Sequence, residues 1–171
     1  MRSERGAADT PWPEEAPKKP IKPVKTALMA AVDILARQAY SEQKVREKLA
    51  RKGYETVEIQ AAIDRLIEKR YLDDAAACQS QFDYLYNESK SSVRQICVKL
   101  MQRGFPKDII KECVPADTYE RERRAAFRTL SLKYKRSADK QKMMASLYRS
   151  GFDTDAIRAA VEAYAEEDEE W

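Results

Sequence analysis

Covalent chemistry needs a convergent set of acids, bases and nucleophiles, and this sequence offers only fragments of one. It has no histidine to act as a general base near neutrality and no glycine-rich phosphate loop. Asp73 and Asp74 are adjacent carboxylates that can in principle hold a metal. Neighbouring side chains at a helix start diverge, so capping that helix is their expected task. Lys44 or Lys48 would be a nucleophile only inside a desolvating pocket, of which the sequence gives no sign. Cys78, Cys97 and Cys113 are spaced too widely for a zinc knuckle, and each falls on the apolar side of an expected helix. They read as small buried hydrophobes in a reducing cytoplasm. The expectation is a protein that is not an enzyme and uses no cofactor or metal.

Positive charge is what the sequence does concentrate. The formal net charge is only +3, but ten Lys and Arg between Thr118 and Arg149 face three acids, while Arg158 alone opposes eight acids from Ser150 to Trp171. A basic block followed by an acidic end makes a polarised surface. The candidate binding residues in the block are Arg121, Arg124, Arg128, Lys133, Lys135, Arg136, Lys140, Lys142 and Arg149. Upstream, Lys90, Arg94, Lys99 and Arg103 form a second set, and Lys48, Arg51 and Lys52 a third. The bland alternative is a solvated face with i to i+4 partners such as Glu47 and Arg51. In the last block acids are too scarce for local pairing, which favours phosphates or an acidic protein surface as the ligand.

The elements that carry these cations recur. Ser41 can cap a helix with Val45 and Leu49 facing in, Gly53 can end it in the left-handed conformation, Tyr54 can pack back, and Ile59 and Ile63 start the inward face of a second helix. Fifty-one residues on, the same slots hold Ser92, Ile96, Leu100, Gly104, Phe105, Ile110 and Val114. A further forty-seven bring Asp139, Met143, Leu147, Gly151, Phe152, Ile157 and Val161. Three of the four glycines in the chain occupy one position of this motif. Each copy is preceded by a further helix: Leu28, Val32, Leu35 and Ala39 after a Thr26 cap, then Cys78, Phe82, Leu85 and Tyr86, then Tyr119, Ala126, Leu130 and Tyr134. The sequence thus predicts an all-α fold of three tandem three-helix repeats, at 26–72, 73–116 and 117–165, in an elongated and curved array.

Outside the repeats, residues 1–25 hold five of the seven prolines and read as a disordered leader with a lone Trp12, and 166–171 read as a solvated acidic tail. No apolar run reaches the roughly twenty residues that span a bilayer and no signal-peptide core is present, so a soluble, cytoplasmic protein without a membrane partner is expected.

The strings KLARKGY at Lys48 to Tyr54 and RLIEKRYLDD at Arg65 to Asp74 resemble the RecX family of bacterial regulators of the RecA recombinase, and the resemblance runs from about Leu28 to Tyr164. It implies a protein that binds the RecA filament along its helical groove and modulates or inhibits strand exchange, nucleotide hydrolysis and coprotease action, with roles in recombination, repair and the SOS response; a monomer is expected. It also implies weak, salt-dependent contact with single- or double-stranded DNA. Family members commonly carry an Arg- and Gly-rich segment where this chain has Tyr86 to Val93 (YNESKSSV). Two other readings stay open. A helix, a glycine turn and a helix also describe a helix-turn-helix DNA-binding module. A helical-repeat adaptor with an unrelated protein partner is the other.

Overall fold

The computed structural model describes residues 25–166; most of the proline-rich leader and nearly all of the acidic tail lie outside them. Among the described residues there are nine helices and no strand: α1 (Ala27–Arg37), α2 (Glu42–Arg51), α3 (Thr56–Glu68), α4 (Asp74–Glu88), α5 (Val93–Gln102), α6 (Lys107–Cys113), α7 (Tyr119–Lys133), α8 (Lys140–Arg149) and α9 (Thr154–Glu166). Three separate apolar cores follow chain order, one per helix triplet. Val45, Leu49 and Ile63 centre the first, Ile96, Leu100 and Phe82 the second, and Met143, Leu147 and Leu130 the third. No helix among the described residues is long and apolar enough to cross a membrane.

The glycine turns are the same in all three copies. Gly53, Gly104 and Gly151 sit at φ +87, +91 and +77, where a Cβ would crowd the backbone. Each amide and the amide after it bond back into the finished helix: Gly53 to Ala50 and Tyr54 to Leu49, Gly104 to Met101 and Phe105 to Leu100, Gly151 to Tyr148 and Phe152 to Leu147. That is the paired 5→2 and 6→1 closure of a helix C-terminus, and it buries Tyr54, Phe105 and Phe152. A fourth such turn ends α3 without glycine. There Arg70 takes φ 56, its amide bonds to the Ile67 carbonyl and that of Tyr71 to Leu66.

Two expectations need correction. The inward face of α1 is Ala27, Ala30 and Ala31, with Ile34 half-buried, whereas Leu28 and Val32 stay 36% and 48% exposed. Alanines let α1 come close to α3, and the bulkier residues are left on the flank. Asp73 does cap α4, accepting from the Ala76 amide at 3.0 Å, but Asp74 turns away and accepts from the Glu42 amide at 2.8 Å. The second aspartate of the YLDD string therefore ties α4 to the start of α2.

That tie belongs to a joint made twice. The N-terminus of α2 abuts the C-terminus of α5, with the Ser41 amide on the Arg103 carbonyl at 3.1 Å. In turn the N-terminus of α5 abuts the C-terminus of α8, with the Ser92 hydroxyl donating to the Ser150 carbonyl at 2.7 Å. Both serines are fully buried and also cap their own helices, accepting from Lys44 and Gln95 amides. At the second joint Glu122 stands where Asp74 stands at the first, accepting from the Val93 amide at 2.5 Å and the Asp153 amide at 3.3 Å.

Candidate basic interaction surface

The structure sorts the candidate cations into groups with different work. Arg121 is not on the surface. It is 8% exposed, and its guanidinium donates to the backbone carbonyls of Tyr86, Leu85, Ser89 and Ser91 while lying over the Tyr86 ring. A buried cation needs acceptors on every N–H, and the polar segment 85–91 supplies them. Burial pulls its pKa down from the ordinary arginine value, and Glu122, 3.7 Å away, works against that shift. Arg121 is thus a clamp on the linker between α4 and α5 and drops out of the binding set.

Arg94, Lys99 and Arg149 come together. They line one groove of about 690 Å³ between α5 and α8, with Tyr148 and Gly151 on its far wall. A second hollow of about 610 Å³, between α8 and α9 and edged by Lys142, Tyr134 and Met144, shares Tyr148 and Arg149 with it. Tyr148 is 70% exposed, an aromatic face set among four cations. This mixture suits a polyanion with planar groups, since cations hold phosphates and an exposed ring offers a stacking platform. Lys99 also donates to the Ser91 hydroxyl at 2.8 Å, which fixes the direction of its stem.

The remaining cations lie apart from that groove. Exposed Arg124 and Arg128 edge a small hollow of about 280 Å³ with Tyr86, Asn87 and Ser89, and Thr129 on the same helix donates to the Lys90 carbonyl. Lys133 donates to the Ser146 hydroxyl at 2.7 Å, and Arg136 sits over the Tyr164 ring. Lys135 and Lys140 are exposed. Arg103 is half-buried against Gln81. In the first triplet Lys48 lies 4.3 Å from the centre of the Tyr40 ring, and it shares a groove of about 800 Å³ with Arg51 and Lys52. The Glu47 to Arg51 pair of the bland alternative gives way to Glu47 with Lys44 at 3.0 Å, and this hydrogen bond holds the Glu47 carboxyl below its ordinary value. Arg51 is left facing the groove.

Sequence periodicity missed Tyr148, which falls between core positions, and missed the buried status of Arg121 and Glu122. A signal for the latter existed: both lie one helical turn before Ala125 and Ala126, on the stripe that leads to Leu130. Among the described residues no group of three or more His, Cys, Asp or Glu could hold a metal ion. Cys78 and Cys113 are buried with sulfurs 3.7 Å apart, and burial pushes the Cys78 thiol up to about 12.

Comparison with known proteins gives a consistent picture. Residues 27–66 match the family described as RecX, first three-helix domain. The regulatory protein RecX of Chlorobaculum tepidum is 31% identical over 138 residues, covering 80% of this chain and 86% of that protein. Its namesake from Vibrio parahaemolyticus is 29% identical over 151 residues, covering 85% and 96%. The crystal structure of RecX from Lactobacillus salivarius superposes with a TM-score of 0.64 at 20% identity, covering 81% of this chain and 94% of that one, which shows a shared fold.

Proposed function

Because the chain belongs to the RecX family of regulatory proteins, we propose that it binds the RecA filament on DNA in the cytoplasm as a monomer and restrains ATP hydrolysis and strand exchange. The observation that carries this reading is a pair of adjoining hollows that share exposed Tyr148 and Arg149. The first adds Arg94 and Lys99 and the second Lys142, although these residues come from two different repeats. A site shared between repeats suits a ligand that is itself extended, and its charge makes association fast and salt-sensitive. Arg124 and Arg128, with Lys90 nearby, offer a second contact for phosphates or acidic side chains.

The test is a titration of the protein into RecA, ATP and single-stranded DNA while hydrolysis is followed. The wild-type protein is expected to inhibit. A variant with Arg94→Glu, Lys99→Glu, Lys142→Glu and Arg149→Glu is expected to need at least ten-fold more protein for half inhibition, and the inhibition by wild type should weaken as salt rises. Equal potency of the two proteins would remove these hollows from the interface. No effect of the wild type at any concentration would reject the filament itself as the partner.

A further inference from the structure

The three glycine turns share one backbone shape but not one environment. A Cβ built on Gly104 would lie 2.4 Å from Ser41 Oγ and 2.8 Å from Lys44 Cβ. One built on Gly151 would lie 2.9 Å from Arg94 Cδ. At both, the N-terminal turn of another core helix is seated against the glycine, and its serine donates to the carbonyl of the preceding residue, Arg103 or Ser150. A Cβ on Gly53 would meet nothing within 4 Å among the described residues. Lys52 holds the place of Arg103 and Ser150 there, at the C-cap of α2.

We propose that the C-terminus of α2 is a third seat of the same kind, filled from outside by the N-terminus of a helix on the recombinase. This rests on the proposed function and names the surface through which the first repeat takes part in it. The occupant follows from the chemistry of the seat. Helix-end carbonyls need a donor, as the filled seats show with a serine amide in one and a serine hydroxyl in the other. The groove that reaches the open seat at Lys52 is lined by Lys25, Arg37, Lys48, Arg51 and Lys52 against one acid, Asp33, which is paired with Lys25 at 2.6 Å. A helix beginning with Ser, Thr or Asp and carrying acid in its first turn supplies donor and countercharge together. The chain presents such an end itself, Ser41 followed by Glu42, where α2 sits on α5. Phosphate brings no donor and is repelled by carbonyl oxygens, so nucleic acid fits the seat poorly. A second copy of this chain fits poorly too: the remaining core-helix start among the described residues is that of α8, where Asp139 caps the helix but the first turn carries Lys140 and Lys142 and no acid, so it would bring like charge to the seat.

A photo-reactive benzophenone side chain placed at position 52 of the full-length protein tests this on RecA filaments. Cross-linked peptides are expected to map to the first turn of an acid-bearing recombinase helix. The double variant Arg51→Glu, Lys52→Glu is expected to bind filaments at least ten-fold more weakly by anisotropy at a temperature where far-UV circular dichroism shows it folded with wild-type helix content. Cross-links to DNA, to the chain's own residues 1–24 or to recombinase surfaces other than a helix start would overturn the proposal. Undiminished binding by the double variant would do so as well. If wild type binds and only the groove variant of α5 and α8 loses affinity, the seat fails while the proposed function stands; if wild type does not bind filaments, both fail.

Discussion

Replacing each repeat glycine by alanine separates what the turn costs from what the joint costs. All three positions have nearly the same positive φ, so each substitution carries the left-handed penalty of an L-residue, roughly 1–2 kcal/mol. At Gly53 nothing is added, because the new methyl meets nothing within 4 Å among the described residues. At Gly104 the methyl overlaps Ser41 Oγ and Lys44 Cβ, and Ser41 cannot swing aside without giving up its cap on Lys44, while its amide is held on Arg103. Overpacking of this kind adds about 1–3 kcal/mol, so Gly104→Ala should destabilise by about 2–5 kcal/mol against about 1–2 for Gly53→Ala. Gly151→Ala should fall between them, since the obstructing Arg94 side chain is exposed at its end and can shift. Urea unfolding followed by far-UV circular dichroism measures all three. If Gly53→Ala and Gly104→Ala cost the same, the helix-end joint contributes nothing and the account of how repeats are fastened is wrong.

Four further outcomes follow from residues already placed. Arg121→Ala strips the carbonyls of segment 85–91 of their donor and leaves Glu122 buried without its nearby cation, so it should destabilise by about 3–5 kcal/mol. Arg124→Ala, on the exposed side of the same helix, should stay within about 0.5 kcal/mol in the same melts. Burial raises the Glu122 carboxyl above its ordinary 4.5, with the Val93 and Asp153 amides opposing the shift. The folded state therefore holds that proton more tightly than the unfolded chain, and this contribution to stability is full below the ordinary value and fades as pH rises through the raised one. Urea melts across that range should lose this part of their pH slope in Glu122→Gln, and an identical slope in both proteins would contradict the assignment. Arg70→Gly relieves a left-handed arginine and should raise stability by roughly 0.5–1 kcal/mol in a thermal or urea melt.

The repeat was legible because its markers have local causes. A capping serine, a glycine that must take positive φ and an aromatic that folds back each declare themselves within one turn of helix, and Ser41, Gly53 and Tyr54 do what their types require. Placement across repeats was not legible. Nothing in the string at Asp73 and Asp74 says that one caps α4 and the other reaches Glu42, because the choice depends on where α2 ends up. Arg121 looked like one more cation in a basic block, and only the fold reveals a ring of carbonyls waiting for it. The α1 face went wrong for a related reason: large apolar residues signal burial in isolation, but a close helix crossing selects the alanines beside them. In the candidate surface, charge alone singles out Arg94 and Arg149, whereas their convergence on Tyr148 depends on the seating of α5 against α8.

The end-to-end seating of α2, α5 and α8 also has an electrical side. At each joint the partial positive pole of one helix meets the partial negative pole of another, so the two cancel locally and present little field to solvent. Only the outermost poles survive, the amide end of α8 and the carbonyl end of α2. At the first, the Asp139 carboxylate caps the pole with Lys140 and Lys142 beside it, while Arg51 and Lys52 mask the second. With the helix poles cancelled at the joints, the charge that draws a polyanion to the α5–α8 groove comes from side chains such as Arg94, Lys99 and Arg149 and not from helix ends.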